Sequence, residues 1–314
     1  MTGFFNAVSA SFILLVLMSI GYVMGHLGWM TEQEKKFVSK YVVNIAVPCN
    51  CIVGLLNHLD RSTLAQAGPM LLSTFISIGV MMLLAIGLAT LLRLPRERWG
   101  VFITMTGLSN TLFIGIPVCT QLFGDGCMGF LMMYYLANTS YLQTAGLMLV
   151  KRSGTAPGGK VTVPGVVKDM LTKPPILAVL LTLALLVTDL RLPQPVMKCA
   201  EYVSNSVSPL ALIYCGYIVY ELGLKNLRFE KGLGVMVLFR LMISPIICAT
   251  LCSVFGITGL PHDVFVVGAG LPVVSQITVM AGNYGADDKY AATGATLSTF
   301  GSFLSIPIMM VLLG

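Results

Sequence analysis

The sequence predicts an all-α integral membrane protein with ten transmembrane helices, and three observations support this fold class. The chain of 314 residues is 56% hydrophobic and only 10% charged, whereas soluble domains are about one quarter charged. Its mean hydropathy is +0.87. Apolar segments of about 20 residues recur along the whole length, and each is long enough as a helix to cross roughly 30 Å of hydrocarbon. Little of the chain is left for a soluble domain.

The ten predicted spans alternate in direction across the membrane. Lys and Arg are biased between the two sides, with fourteen in the odd-numbered connections and three in the even-numbered ones. Because positive residues stay on the cytoplasmic side, we predict a multi-pass protein of the cell membrane, inner or plasma, with both termini outside the cytoplasm. The first span lacks a preceding positive region and is expected to be retained rather than cleaved. The spans are 4–26, 37–57, 68–92, 99–123, 127–150, 173–190, 197–221, 233–256, 263–284 and 290–313.

The longest connection divides the predicted spans into two sets of five. This connection, 151–172, starts with "KRSGTAPGGKVTVPG", which has the composition of a flexible linker. "NIAVP" at 44–48 in the second span is matched by "NSVSP" at 205–209 in the seventh, 161 residues later. Five helices is an odd number, so the second repeat, 173–314, is predicted to be inverted relative to the first, 1–150. Inverted repeats are typical of secondary transporters, whose sites lie where broken helices meet.

Two spans are interrupted at matching places. The fourth contains "GLSNTLFIGIP" at 107–117 and the ninth contains "GAGLPVVSQ" at 268–276. Irregular backbone at membrane depth is tolerated only against protein or water, so we predict that the breaks cross inside the protein. Half-helix N-termini at such a crossing suit an anion. Alternatively, Ser109, Asn110 and Thr111 only cap the freed backbone. The candidate binding residues are Ser109, Asn110, Thr111, Pro117, Leu271, Pro272, Ser275 and Gln276.

Three further polar residues lie within predicted spans. Asn44 and Asn205 each precede a proline by one turn, and each either lines the same cavity or caps the kink at that proline. Arg240, in "MVLFRLMISP", has three possible roles. It neutralises a carboxylate substrate, occupies the place of a coupling cation, or extends its head group to the cytosolic surface.

The residue types that would support other chemistries are missing from the spans. All thirteen acidic residues fall in connections or at span ends, which leaves no candidate for a buried carboxylate proton relay or sodium cage. The cysteine pairs 49/51 and 248/252 lack further metal ligands nearby. We therefore expect no cofactor, no metal centre and no catalytic residues, and the positive charge gives no reason to expect a nucleic-acid partner. The coupling ion, Na⁺ or H⁺, is left open.

The interrupted segments resemble those of a known family. "SNTLFIGIP" resembles the crossover motif of the auxin efflux carriers, which include plant auxin carriers and bacterial malate and malonate carriers. The closing segment, "GAGLPVVSQITVMAGNYGADDKYAATGATLSTFGSFLSIPI", resembles the last two helices of that family. The short linker is similar to that of prokaryotic members. In plant carriers the Asn of the first motif contacts the substrate carboxylate, and the matching residue here is Asn110.

The resemblance implies a fold and a mechanism. Helices one, two, six and seven would form a scaffold that dimerises, and helices three to five and eight to ten would form a transport domain that moves as an elevator. The fold is shared with bile acid symporters. We expect a carrier for a small organic anion, such as malate, malonate or an auxin-like acid, in the lipid bilayer. The alternatives are a sodium-coupled organic anion symporter of the bile acid type, and a channel or sensor. An enzyme is not expected.

Overall fold

Helices form nearly all of the part of the chain that the structure describes, and the all-α prediction is confirmed. The structure is a computed structural model that describes residues 2–58, 67–155, 168, 171–188, 190, 192–223 and 229–313. Most of the predicted linker, 151–172, lies outside these residues. Within them, one isolated antiparallel bridge between Ser109 and Val273 accompanies the helices.

Two of the helices are broken. A turn at 205–206 also interrupts the seventh helix. In chain order the helices are α1 (Thr2–His26), α2 (Glu32–His58), α3 (Ala67–Leu91), α4a (Arg96–Gly107), α4b (Thr111–Phe123), α5 (128–153), α6 (Pro174–Thr188), α7 (Gln194–Glu221), α8 (Leu233–Val254), α9a (Leu260–Ala269), α9b (Gln276–Tyr284) and α10 (Asp288–Leu313).

Among the residues that the structure describes, five helices are long and apolar enough to cross a membrane, namely α2, α3, α7, α8 and α10. The distribution of side chains fits a lipid environment. Large apolar residues such as Leu83 on α3 and Leu304 on α10, each 70% exposed, point outward. Polar residues such as Ser109, Asn138 and Arg240 are buried. An apolar exterior around a partly polar interior is the arrangement expected for a membrane protein with an internal site.

Three prolines within helices each follow a π-helical turn. Proline lacks an N–H and crowds the carbonyl group four residues earlier, and the wider turn accommodates this missing hydrogen bond. The turns and prolines are Val42–Ala46 before Pro48, Thr111–Gly115 before Pro117, and Phe239–Ile243 before Pro245. The helices therefore continue through these prolines without ending.

For description the helices are divided into two groups, which also pack against each other, α1 against α10 and both α1 and α7 against α4b. The first group is α1, α2, α6 and α7, in which α1 packs along α7 and α6 along α2. A Cβ atom added at Gly216 would lie 1.8 Å from the Met18 carbonyl oxygen, and one added at Gly21 would lie 2.0 Å from that of Ile213. The backbones of α1 and α7 thus approach as closely as small residues allow. The second group is α3, α4a, α4b, α5, α8, α9a, α9b and α10.

Ion pairs at the helix ends join helices of the same group. In the first group, the Lys35 ammonium on α2 lies 2.8 Å from the Glu221 carboxylate on α7. In the second group, Arg98 on α4a pairs with Glu230 just before α8, and its Nε lies 2.7 Å from the Asp287 carboxylate just before α10. These contacts tie each group together at one end.

Candidate functional site

The break in the fourth helix is an extended segment between α4a and α4b. Leu108 has β-type backbone angles (φ −118°, ψ 136°), and Asn110 also leaves the helical region (φ −85°, ψ 72°). The Asn110 side-chain oxygen accepts a hydrogen bond from the Phe113 N–H at 3.3 Å, so it caps α4b. The role in capping the freed backbone, which the sequence analysis gave as the alternative for Asn110, is therefore present in the structure.

The break in the ninth helix pairs with this segment. The N–H of Asn110 donates to the Pro272 carbonyl at 2.8 Å, and the N–H of Val274 donates to the Leu108 carbonyl at 3.3 Å. Together with the Ser109–Val273 bridge, these bonds form a minimal antiparallel ladder inside the protein. The two predicted breaks thus cross, and backbone N–H and carbonyl groups of one break form hydrogen bonds with those of the other.

The N-terminal ends of α4b and α9b meet at this crossing. Asn110 precedes α4b and Ser275 precedes α9b, and the Asn110 side-chain amide donates to the Ser275 hydroxyl at 2.7 Å. The first N–H groups of each half-helix have no partner within the helix. Asn110 is 3% exposed, whereas Ser275 is partly exposed and Gln276 is exposed.

The other candidates from the two motifs shape the crossing from within. Ser109 and Thr111 are buried, and their hydroxyl oxygens lie 3.3 Å apart. Leu271 is fully buried, and so are Pro117 and Pro272. Buried side chains in these positions fix the backbone of the break.

Two residues that the sequence analysis missed hold the extended segments. The Asn138 side chain on α5 accepts from the Ser109 N–H at 3.0 Å and donates to the Ser109 carbonyl at 2.9 Å. The Ser298 hydroxyl on α10 accepts from the Val273 N–H at 3.0 Å. Asn138 and Ser298 stand in "ANTSY" and "LSTFG", 160 residues apart. Extending the repeat comparison to the fifth and tenth spans would have revealed them.

Arg240 lies on the opposite side of the crossing, between the C-terminal ends of α4a and α9a. Its guanidinium donates to the Thr106 carbonyl at 3.2 Å, to the Ser244 hydroxyl at 2.9 Å and to the Ala269 carbonyl. The side chain is 0% exposed. The alternative in which it reaches the cytosolic surface is therefore wrong.

Asn44 and Asn205 are not buried at the crossing. Both belong to helices of the first group, and both side chains are exposed. Asn44 lies within the π-helical turn before Pro48, and Asn205 lies in the turn that interrupts α7.

A small cavity adjoins the N-terminal ends of α4b and α9b. It encloses about 20 Å³, which is room for a single water molecule. The Thr296 hydroxyl, on a side chain 2% exposed, has no hydrogen-bond partner among the described residues. The lining consists of Ile114, Cys215, Ile218, Val219, Ser275, Thr278, Ala295, Thr296 and Thr299.

Comparison with known proteins identifies the family. The family model described as "Membrane transport protein" matches residues 7–157 and 161–310. The chain belongs to this family. The resemblance to auxin efflux carriers read from the two motifs is confirmed. The family and its transporter-named relatives point to a multi-pass membrane transporter rather than an enzyme.

Two relatives are similar to this chain over nearly their whole length. An uncharacterized transporter of Methanocaldococcus jannaschii is 26% identical over 304 residues, which cover 94% of this chain and 95% of the relative. An uncharacterized transporter of Methanothermobacter thermautotrophicus is 26% identical over 307 residues, with 96% of each chain covered.

The paired hydrogen bonds of Asn138 predict a large loss of stability when they are removed. Asn138→Leu leaves the buried N–H and carbonyl of Ser109 without partners, at a cost of about 1–3 kcal/mol each. We expect the free energy of unfolding of the transporter in detergent, followed by thermal or SDS titration, to fall by about 2–6 kcal/mol.

The matched control is Thr144→Val on the same helix, because Thr144 is exposed and its hydroxyl donates to the Ser140 carbonyl one turn earlier. That variant should stay within about 0.5 kcal/mol of the parent. Equal losses in the two variants would contradict the structural role assigned to Asn138.

Proposed function

We propose that this transporter is a secondary carrier of a small organic anion, and that the carboxylate binds at the N-terminal ends of α4b and α9b. The carboxylates considered are malate, malonate or an auxin-like acid, as the family resemblance implies. The observation that carries the proposal is the meeting of the two half-helix ends at Asn110 and Ser275, beside a cavity with the unpaired hydroxyl of Thr296.

The electrostatics of the crossing favour an anion in this cavity. Each helix N-terminus carries about half a positive elementary charge, so two ends that point at one place present about one positive charge. None of the described residues that line the cavity is acidic or basic. A single carboxylate would neutralise the two ends and accept hydrogen bonds from free N–H groups, the Asn110 amide and the Thr296 hydroxyl.

The size of the cavity supports alternating access. A volume of about 20 Å³ admits a water molecule but no dicarboxylate, so the substrate requires movement of α7 away from the crossing. The two packing groups correspond to the scaffold and the transport domain that the family resemblance implies. We propose that the second group moves past the first as an elevator, and that two copies of the protein dimerise through the scaffold.

Inverted repeats fit this mechanism. Asn138 and Ser298 stabilise the two breaks from corresponding helices of the two halves, and the family model matches two stretches of nearly equal length. Ten spans in two inverted sets of five, with both termini outside the cytoplasm, are part of the proposal.

The first test replaces Asn110 by aspartate. Asn110→Asp retains a side-chain oxygen that caps α4b, but it adds a negative charge where the carboxylate would bind, and like charges in contact cost several kcal/mol. We expect a folded variant in which uptake into reconstituted vesicles falls at least about tenfold. The radiolabelled substrate is the mono- or dicarboxylate that most raises the thermal stability of the parent protein.

Asn57→Asp is the control for this test, because it makes the same substitution at an exposed position near the end of α2. Its uptake should equal that of the parent. Unchanged uptake by the Asn110→Asp variant would disprove the proposed site.

The second test uses the unpaired hydroxyl of Thr296. Thr296→Val conserves shape and removes a buried polar group without a partner, so the stability of the empty protein should stay equal or rise. A hydrogen bond to a charged group contributes about 1.5–3 kcal/mol, so the apparent KM for the anion should rise about tenfold or more.

The control is Thr293→Val on the same helix, since the Thr293 hydroxyl donates to the Lys289 carbonyl at 2.9 Å and does not line the cavity. Its apparent KM should be unchanged. A Thr296→Val variant with the parent KM would remove this residue from the site.

The third test concerns the elevator movement. Phe113 on α4b and Tyr214 on α7 stack with ring centroids 4.6 Å apart, across the two groups. In a cysteine-free variant that retains transport, cysteines at these two positions joined by a short, reducible bifunctional reagent should arrest transport, and reduction should restore it. Cysteines at Lys35 and Glu221, which pair within the first group, should leave transport intact when joined. Transport that continues with the Phe113 and Tyr214 positions joined would exclude relative movement there.

A further inference from the structure

The guanidinium of Arg240 lies where the C-terminal ends of α4a and α9a converge. It donates to Thr106, in the last turn of α4a, and to Ala269, the last residue of α9a. The Ser244 hydroxyl on the next turn of α8 accepts a third hydrogen bond at 2.9 Å, and the Tyr134 hydroxyl on α5 lies beside it. These partners are oxygens of neutral groups.

The charge of Arg240 matches what these helix ends require. Each helix C-terminus carries about half a negative elementary charge, so two converging ends present about one negative charge inside the protein. Carbonyl oxygens from two broken helices are also the ligands with which membrane transporters bind Na⁺. One fixed guanidinium, with its charge and its forked donors, satisfies both ends at once.

The position of Arg240 separates it from the proposed anion site. Its side chain has no exposed surface and is absent from the lining of the cavity beside Asn110 and Ser275. A carboxylate in that cavity would face the N-terminal ends of α4b and α9b, whereas Arg240 is hydrogen bonded to the C-terminal ends of the other two half-helices.

We propose that Arg240 is a resident cation that takes the place of Na⁺ between the carbonyl ends of the broken helices, so that the crossing needs no sodium. The carbonyl oxygens of Thr106 and Ala269 are already engaged by the guanidinium and do not fit a Na⁺ site. This inference deepens the proposed carrier function, because it implies that transport does not require Na⁺. Only that implication rests on the proposed function; the site of Arg240 itself does not.

The test measures the thermal stability of the purified protein in detergent, because stability does not depend on which anion is carried. Arg240→Ala should lower Tm, and about 20 mM guanidinium chloride, far below denaturing concentrations, should raise the Tm of this variant by about 3 °C or more by refilling the site. The Tm of the parent protein should be the same in NaCl and in choline chloride of equal concentration.

The matched control is Arg96→Ala. Arg96 also donates to a backbone carbonyl, that of Arg152 at 3.1 Å, but it is exposed. Water replaces an exposed guanidinium, so guanidinium chloride should not raise the Tm of this variant. A Tm of the parent protein that rises with Na⁺, or a folded Arg240→Ala variant on which guanidinium acts no more than on the control, would overturn the proposal.

A second pair of variants covers the case in which Arg240→Ala does not fold. Arg240→Lys keeps a positive charge between the two carbonyl ends, whereas Arg240→Met keeps a long side chain without charge. We expect the lysine variant to fold with a clearly higher Tm than the methionine variant and to be indifferent to Na⁺. A lysine variant no more stable than the methionine variant would also overturn the proposal. Loss of uptake in the Asn110→Asp test concerns the anion site alone and is unaffected by these outcomes.

Discussion

The architecture depends on one constraint, which is that backbone N–H and carbonyl groups away from water must be hydrogen bonded. An extended segment in the middle of a buried helix leaves such groups unpaired, at a cost of several kcal/mol for each. Here the two breaks provide partners for each other's backbone groups, through the hydrogen bonds from the Asn110 N–H to the Pro272 carbonyl and from the Val274 N–H to the Leu108 carbonyl. The Asn138 side chain provides partners for the backbone N–H and carbonyl of Ser109. Neither break would be stable alone, so the two halves of the chain must come together for the site to exist.

The paired breaks create four helix ends inside the protein, and the chain uses the two kinds of end differently. The C-terminal ends of α4a and α9a hold Arg240, a permanent charge supplied by the protein. The N-terminal ends of α4b and α9b meet at Asn110 and Ser275, where the described residues supply no compensating negative charge. This asymmetry favours a negatively charged ligand that comes and goes.

Features that show in the local composition of the chain could be predicted from the sequence. Ser109 and Asn110 are conspicuous in an apolar run, so the broken helices, their crossing and the family could be inferred from the amino acids alone. The sequence could not predict which side chains face inward, because hydrophobicity in a membrane helix does not distinguish a lipid-facing surface from a buried one. Asn44 and Asn205 were predicted from their matched positions one turn before a proline and are exposed, whereas the buried Asn138 and Thr296 carry no such local signal. For Arg240, the burial of its guanidinium excludes the surface role, which the sequence alone left open.

The two walls of the cavity differ in a way that suits movement in the proposed carrier. Its polar groups, Ser275, Thr278, Thr296 and Thr299, all belong to the second helix group, whereas the α7 wall consists of Cys215, Ile218 and Val219. Hydrogen bonds to an anion would therefore be made by one group alone. When that group slides along α7, the anion would exchange van der Waals contacts with α7 for new ones, but none of its hydrogen bonds would have to break. A barrier made of weak, non-directional contacts is low, and it allows the anion to remain bound while its surroundings change from one side of the membrane to the other.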